Sequence, residues 1–168
     1  MRIALDLAFD ENAAVRLLNW LALENARILR RYPNLPGLYE SGVRYQREKG
    51  EIWKDYLNLL RTRWEDCDGL AAARAGEIMA RGWRALGPED AGYPLARNLR
   101  PRGIYAEVFL RTRAVKGESG VYHCLVQYAM QDRRGRWHWY EDDPSERLGM
   151  TDLPLPIEHR GQRNRRAA

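Results

Sequence analysis

The stretch Asp66-Cys67-Asp68-Gly69-Leu70-Ala71-Ala72-Ala73-Arg74-Ala75-Gly76 decides how this chain is read. It opens with an acid suited to cap a helix, and it runs through small residues to about Leu86, where Gly87-Pro88 stops it. Ala71, Ala72, Ala73, Ala75, Gly76, Ala80 and Gly82 carry almost no side chain, so other backbones can approach from several sides. The pattern predicts a central, packed helix with Cys67 in its first turn. At that end the exposed backbone N–H groups and the positive end of the helix dipole favour thiolate over thiol.

On the N-terminal side, Ile3, Leu5, Leu7 and Phe9 alternate with smaller or charged residues, the period of a half-buried strand. From Asp10 to Arg31 the positions Val15, Leu18, Leu21, Ala22 and Ile28 follow helical spacing, and Tyr32-Pro33 ends the element. Pro33 to Gly50 reads as a long structured loop, and Glu51 to Arg63 as a helix buried along Ile52, Trp53, Tyr56, Leu59 and Leu60. On the C-terminal side, Ile104–Arg113 and Val121–Met130 alternate as strands, reversed through Lys116–Gly120. A turn at Arg133–Gly135 leads to a third strand, Trp137–Asp142, terminated at Pro144. Helices followed by a three-stranded antiparallel meander place the chain in the α+β class.

With 168 residues, 45% of them hydrophobic, the chain is expected to fold as a single domain over residues 1–158. No apolar run reaches the ~18 residues that cross a bilayer, so no membrane role is expected. The two cysteines, Cys67 and Cys124, are too few for a disulfide framework and are read as free thiols. The net charge of +5 belongs largely to Arg160, Arg163, Arg165 and Arg166. These sit in a basic tail, residues 159–168, read as solvated and disordered, with at most a weak contact to nucleic acid. Without them the body is close to neutral, so no basic binding face is expected.

A reactive thiolate needs a proton carrier near neutral pH, and His123 on the second hairpin strand is the candidate. The acids Glu141, Asp142 and Asp143 end the neighbouring strand, and one of them is expected to orient the imidazole. Cys124 should face away from His123 and pack in the core with Tyr122, Val126 and Tyr128. His138 alternates with two tryptophans and reads as a surface or packing residue. Cys67, His123, Cys124 and His138 lack regular zinc-ligand spacing, and residues 123 and 124 are expected to face apart, so neither metal nor cofactor is expected. The six Trp and nine Tyr are expected mostly in the core, with Trp64, Tyr39 and Tyr45 lining a cleft beside Cys67.

Glu65-Asp66-Cys67-Asp68-Gly69-Leu70-Ala71 resembles the nucleophile motif of the transglutaminase-like superfamily, which has a papain-like core. Tyr122-His123-Cys124-Leu125-Val126 is similar to its histidine strand, and Asp142-Asp143-Pro144-Ser145 to its Asp-Pro-Ser element. Asn34-Leu35-Pro36, Tyr39-Glu40-Ser41-Gly42-Val43 and Leu148-Gly149-Met150 are similar to small members encoded in bacteriophage and prophage genomes. Glu65 stands where the superfamily usually has Gly, and Gly69 where it commonly has an acid. The resemblance implies a Cys67–His123–Asp143 triad performing acyl transfer on protein carboxamide or peptide bonds. A thioester would be resolved by water, as in a cysteine protease or deamidase, or by a primary amine, as in a transglutaminase. The oxyanion would lie against the Cys67 N–H, with Trp64 or Gln46 as side-chain partner and Tyr45 beside them. The setting implied is the cytoplasm of a bacterium or a phage-infected cell. An alternative is a catalytically silent phage structural or protein-binding module with the same fold.

Overall fold

The computed structural model describes residues 2–4, 11–47, 52–101, 103–115 and 118–150. In chain order the elements are β1 (Arg2–Ala4), α1 (Glu11–Arg31), β2 (Arg44–Tyr45), β3 (Ile52–Lys54), α2 (Tyr56–Thr62), β4 (Trp64–Glu65), α3 (Cys67–Arg81), α4 (Tyr93–Leu99), β5 (Ile104–Val115), β6 (Glu118–Gln131), β7 (Trp137–Asp142) and α5 (Pro144–Arg147). The class is α+β. The three-stranded antiparallel sheet has the order β5-β6-β7, while β1 pairs with β3 and β2 with β4 in two small separate ladders.

The Cys-bearing α3 packs between α1 and the sheet. Its small residues set the distance: a Cβ on Gly76 would stand 2.6 Å from Asn25 Cβ and 2.7 Å from the Ala22 carbonyl oxygen. On the other side, Ala71, Ala72, Ala75 and Ile78 meet Ala106 and Val108 of β5 and Cys124, Val126, Tyr128 and Met130 of β6, the alternating inward set of each strand. Each large apolar side chain fully buried there contributes roughly 1.5–3 kcal/mol. A second cluster, Leu29, Leu38, Val43, Tyr56, Leu59, Leu70 and Ala73, ties the loop after α1 to the far face of α3. Asn19 of α1 closes the open edge of β5, donating to and accepting from the Val108 backbone, both at 2.9 Å.

Several expectations need correction. The segment from Glu51 to Arg63 is not one helix: Ile52–Lys54 is a strand and α2 starts after Asp55, whose carboxylate accepts the Asn58 N–H at 3.0 Å. Helical spacing misled because Ile52 and Trp53 are claimed by β1, a partner distant in sequence. The central helix ends at Arg81 instead of Leu86, because Gly82 adopts φ 61 and the chain continues as a 3-10 turn. Helix α4 was not expected. Trp20, Trp137, Trp139 and Tyr105 are exposed, so the aromatics are less uniformly core than expected. Most of the first expected strand, part of the reversal at residues 116–117, the end of the long loop and the basic tail fall outside the described residues. Among the described residues no helix is long and apolar enough to cross a membrane.

Candidate active site

Arg63 closes α2 in the left-handed conformation, with φ 68, and reverses the chain into β4. Asp66 is extended and takes the N-cap position of α3, although its side chain makes no capping hydrogen bond. Cys67 is therefore the first residue of a 15-residue helix, partly exposed, at the positive end of its dipole.

The second arm comes from the sheet. His123 is buried on β6, and its Nε2 lies 2.7 Å from Asp143 Oδ2. Pro144 starts α5 immediately after Asp143, so the other carboxylate oxygen, Oδ1, accepts the Ser145 and Glu146 N–H groups at 3.2 and 3.1 Å. One oxygen caps a helix while the other holds the imidazole. Asp142 points elsewhere: it is buried, and its Oδ2 accepts from Arg74 Nε and from the Tyr39 hydroxyl, each at 2.7 Å.

With Nε2 committed to Asp143, the ring nitrogen left for the thiol is Nδ1. Hydrogen bonding from Cys124 and then from His123 outweighs burial and the opposing charge of Asp68, bringing Cys67 down to about 7. For His123, burial is the largest single influence and pushes down. The hydrogen bonds and charges of Asp143 and Cys67 together prevail and raise it to about 9. Cys124 moves the opposite way, held well above the ordinary thiol value by its hydrogen bond with Cys67, by burial and by Asp68. Between these limits the arrangement supports a Cys67 thiolate beside an imidazolium.

The expectation that residues 123 and 124 cannot serve one site is overturned. Both approach Cys67, and Cys124 and Cys67 place their sulfurs 3.2 and 3.0 Å from the same oxygen, Asp68 Oδ1. The reason lies in the sheet: β7 ends at Asp142 opposite Val126, so at residues 123 and 124 strand β6 is an edge. A sulfur standing at that edge meets side chains from both faces. His138 lies elsewhere, half-exposed and bonded to Asp132 at 3.1 Å.

Tyr45 and Gln46 adjoin the Cys67 arm through backbone. Arg44 N–H donates to Arg63 and Gln46 N–H to Glu65, at 3.0 and 2.9 Å, while Tyr45 N–H donates to Leu148 beyond α5 at 2.9 Å. The strand thus straps the cysteine arm to the aspartate arm. The Gln46 side chain is exposed, and Trp64 is half-buried with Lys54 Nζ 3.6 Å above its ring. Glu65 is fully buried and forms a 3.1 Å ion pair with Lys54, which neutralises the buried acid. Gly69 makes room for it, since a Cβ there would lie 2.4 Å from Glu65 Cγ. Glu65 and Gly69 therefore share one space.

Sequence reasoning missed Arg74, which is 1% exposed and ion-paired to Asp142, Asp90 and Glu77 at 2.7, 2.8 and 3.0 Å. Arg147 joins Asp90 and Asp142 from α5, its guanidinium 3.7 Å above the Tyr39 ring. An Arg set among alanines in the packed stretch was the available signal. The network anchors the β7–α5 corner, and with it Asp143, to the helix that carries Cys67.

No family model matches this chain, and no curated protein or solved structure shows significant similarity to it.

Proposed function

We propose that the chain is a cysteine acyl-transfer enzyme of the transglutaminase-like type, with a papain-like core, acting on protein carboxamide or peptide bonds. The observation that carries this reading is the array Asp143–His123–Cys67, in which a helix-capping carboxylate holds Nε2 at 2.7 Å and a helix-start thiol of lowered pKa meets the other side of the ring. The Cys67 thiolate attacks the carbonyl carbon, and His123 Nδ1–H protonates the departing amine, leaving a thioester and a neutral imidazole. Asp143 keeps a proton on Nε2, so Nδ1 is free to act as base. Water or a primary amine then gives its proton to Nδ1 as it attacks the thioester, and Cys67 leaves as thiolate. The Cys67 backbone N–H faces the developing oxyanion, with the Gln46 amide or the Trp64 indole N–H as the second donor.

The test is incubation with a glutamine-containing donor and a fluorescent primary amine, repeated with Cys67→Ala. Cys67-dependent incorporation identifies a transglutaminase. Cys67-dependent release of ammonia or peptide without incorporation identifies a hydrolase. Neither product, together with equal alkylation of Cys67 and Cys124 at pH 6, overturns the enzymatic reading in favour of a silent phage structural or protein-binding module.

A further inference from the structure

We propose that Cys67, Asp68 and Cys124 form a three-donor binding site for a soft divalent cation of the zinc class, with the fourth position left to solvent or a small ligand. Neither Cys124 nor Asp68 takes a bond-making or proton-transfer step in acyl transfer, where Cys124 acts only through its hydrogen bond to Cys67. The two sulfurs flank one carboxylate oxygen at 3.0 and 3.2 Å, and the three donor atoms lie within 4.8 Å of one another. In a tetrahedral site with metal–sulfur bonds of ~2.3 Å and metal–oxygen bonds of ~2.0–2.2 Å, sulfur and oxygen donors stand roughly 3.5 Å apart. The observed distances reach that spacing by shifts of a few tenths of an ångström.

The surroundings match those of a metal centre as well. The other oxygen of Asp68 accepts the Trp53 indole N–H at 3.3 Å, the kind of outer hydrogen bond that orients a ligating carboxylate. The donors come from two elements, Cys67 and Asp68 at the start of α3 and Cys124 on β6. Two thiolates select zinc-class ions over calcium or magnesium, which prefer oxygen. Binding replaces the thiol protons, so affinity rises with pH. The site does not rest on the enzymatic reading; where both hold, a coordinated Cys67 cannot attack a carbonyl, and the cation acts as a reversible block.

The probe is Co²⁺, titrated into the full chain kept reduced with a non-coordinating phosphine. The expected result is one equivalent bound, with a thiolate-to-cobalt charge-transfer band and tetrahedral d–d absorption, displaced by Zn²⁺. Cys124→Ser should weaken binding by more than tenfold and lower the charge-transfer intensity. Trp53→Phe keeps every donor and removes the indole N–H that donates to Asp68, so it should retain the spectrum while weakening binding about tenfold. Absence of a stoichiometric band in the folded wild type overturns the site, as does Cys124→Ser binding as tightly as wild type. Alkylation of the metal-free chain separates the two ideas: selective labelling of Cys67 without cobalt uptake removes the metal site and leaves the acyl-transfer reading standing.

Discussion

Replacing Asp142 and Asp143 in turn by Asn should produce opposite defects. Asn caps a helix about as well as Asp, so Asp143→Asn should keep the start of α5 and shift Tm by no more than a few degrees. What it removes is the charge that helps raise His123 to about 9 and, through it, the partner of the Cys67 thiolate. With its pKa near 7, about a tenth of Cys67 is ionised at pH 6; at the ordinary thiol value of about 8.5 the fraction is about 0.3%. Iodoacetamide labelling of Cys67 at pH 6 should therefore slow, by at most about thirtyfold because the Cys124 hydrogen bond remains, and turnover on any substrate found should fall by about 10⁴, as in other triads. Asp142→Asn instead uncouples a buried carboxylate from Arg74 and Arg147. Breaking a buried ion pair costs about 3–5 kcal/mol, and in a chain of this size each kcal/mol lowers Tm by about 2–4 °C, so a fall of about 6–20 °C is expected. Peptide-mapped labelling rates and thermal unfolding by circular dichroism read the two effects separately. Wild-type labelling in Asp143→Asn, or a larger labelling defect at unchanged Tm in Asp142→Asn, refutes the reasoning.

The lowered Cys67 and raised His123 set a pH window for the ion pair. Cys67's contribution, that of a depressed group, is lost as pH falls through about 7, and His123's, that of a raised group, is lost as pH rises through about 9. Turnover should therefore be bell-shaped between those limits, with the alkylation rate of Cys67 rising at about 7; a single rise near 8.5 contradicts this. Gly69→Ala drives a methyl group into Glu65, and should lower the urea-unfolding free energy by about 1–3 kcal/mol. Arg74→Met removes the cation shared by Asp142, Asp90 and Glu77, and should cost about 3–5 kcal/mol at pH 7, with a smaller loss at acid pH where carboxylates take up protons; equal losses at both pH values argue against the ionic account.

What was legible in the sequence was what short-range chemistry decides. The helix from Glu11 to Arg31, the meander and the start of α3 follow from periodicity, caps and turn residues. The Asp143-Pro144 junction also encodes its own geometry, because Pro is suited to the first helical position and Asp to the cap before it. Ile52–Lys54 was illegible because its strand partner is β1, across the whole of α1. Asp55 as the cap of α2 was the local clue that went unused. The meeting of Cys67 with Cys124 depends on where β7 stops, a property of strand length rather than of side-chain alternation. Arg74 hides for a related reason: its three acidic partners come from α3 itself, the turn before α4 and the end of β7.

The strap at β2 also has a meaning in time. The Tyr45 amide is synthesised early, yet its acceptor, the Leu148 carbonyl, emerges only after the whole meander. Chains grow from the N-terminus at roughly 5–20 residues per second, so Cys67 spends several seconds without His123, Asp143 or the strap. Through that interval it is an ordinary thiol. On the proposed reading its reactivity is switched on once the β7–α5 corner has been made, so a chain ending before that corner carries Cys67 without its activating partners.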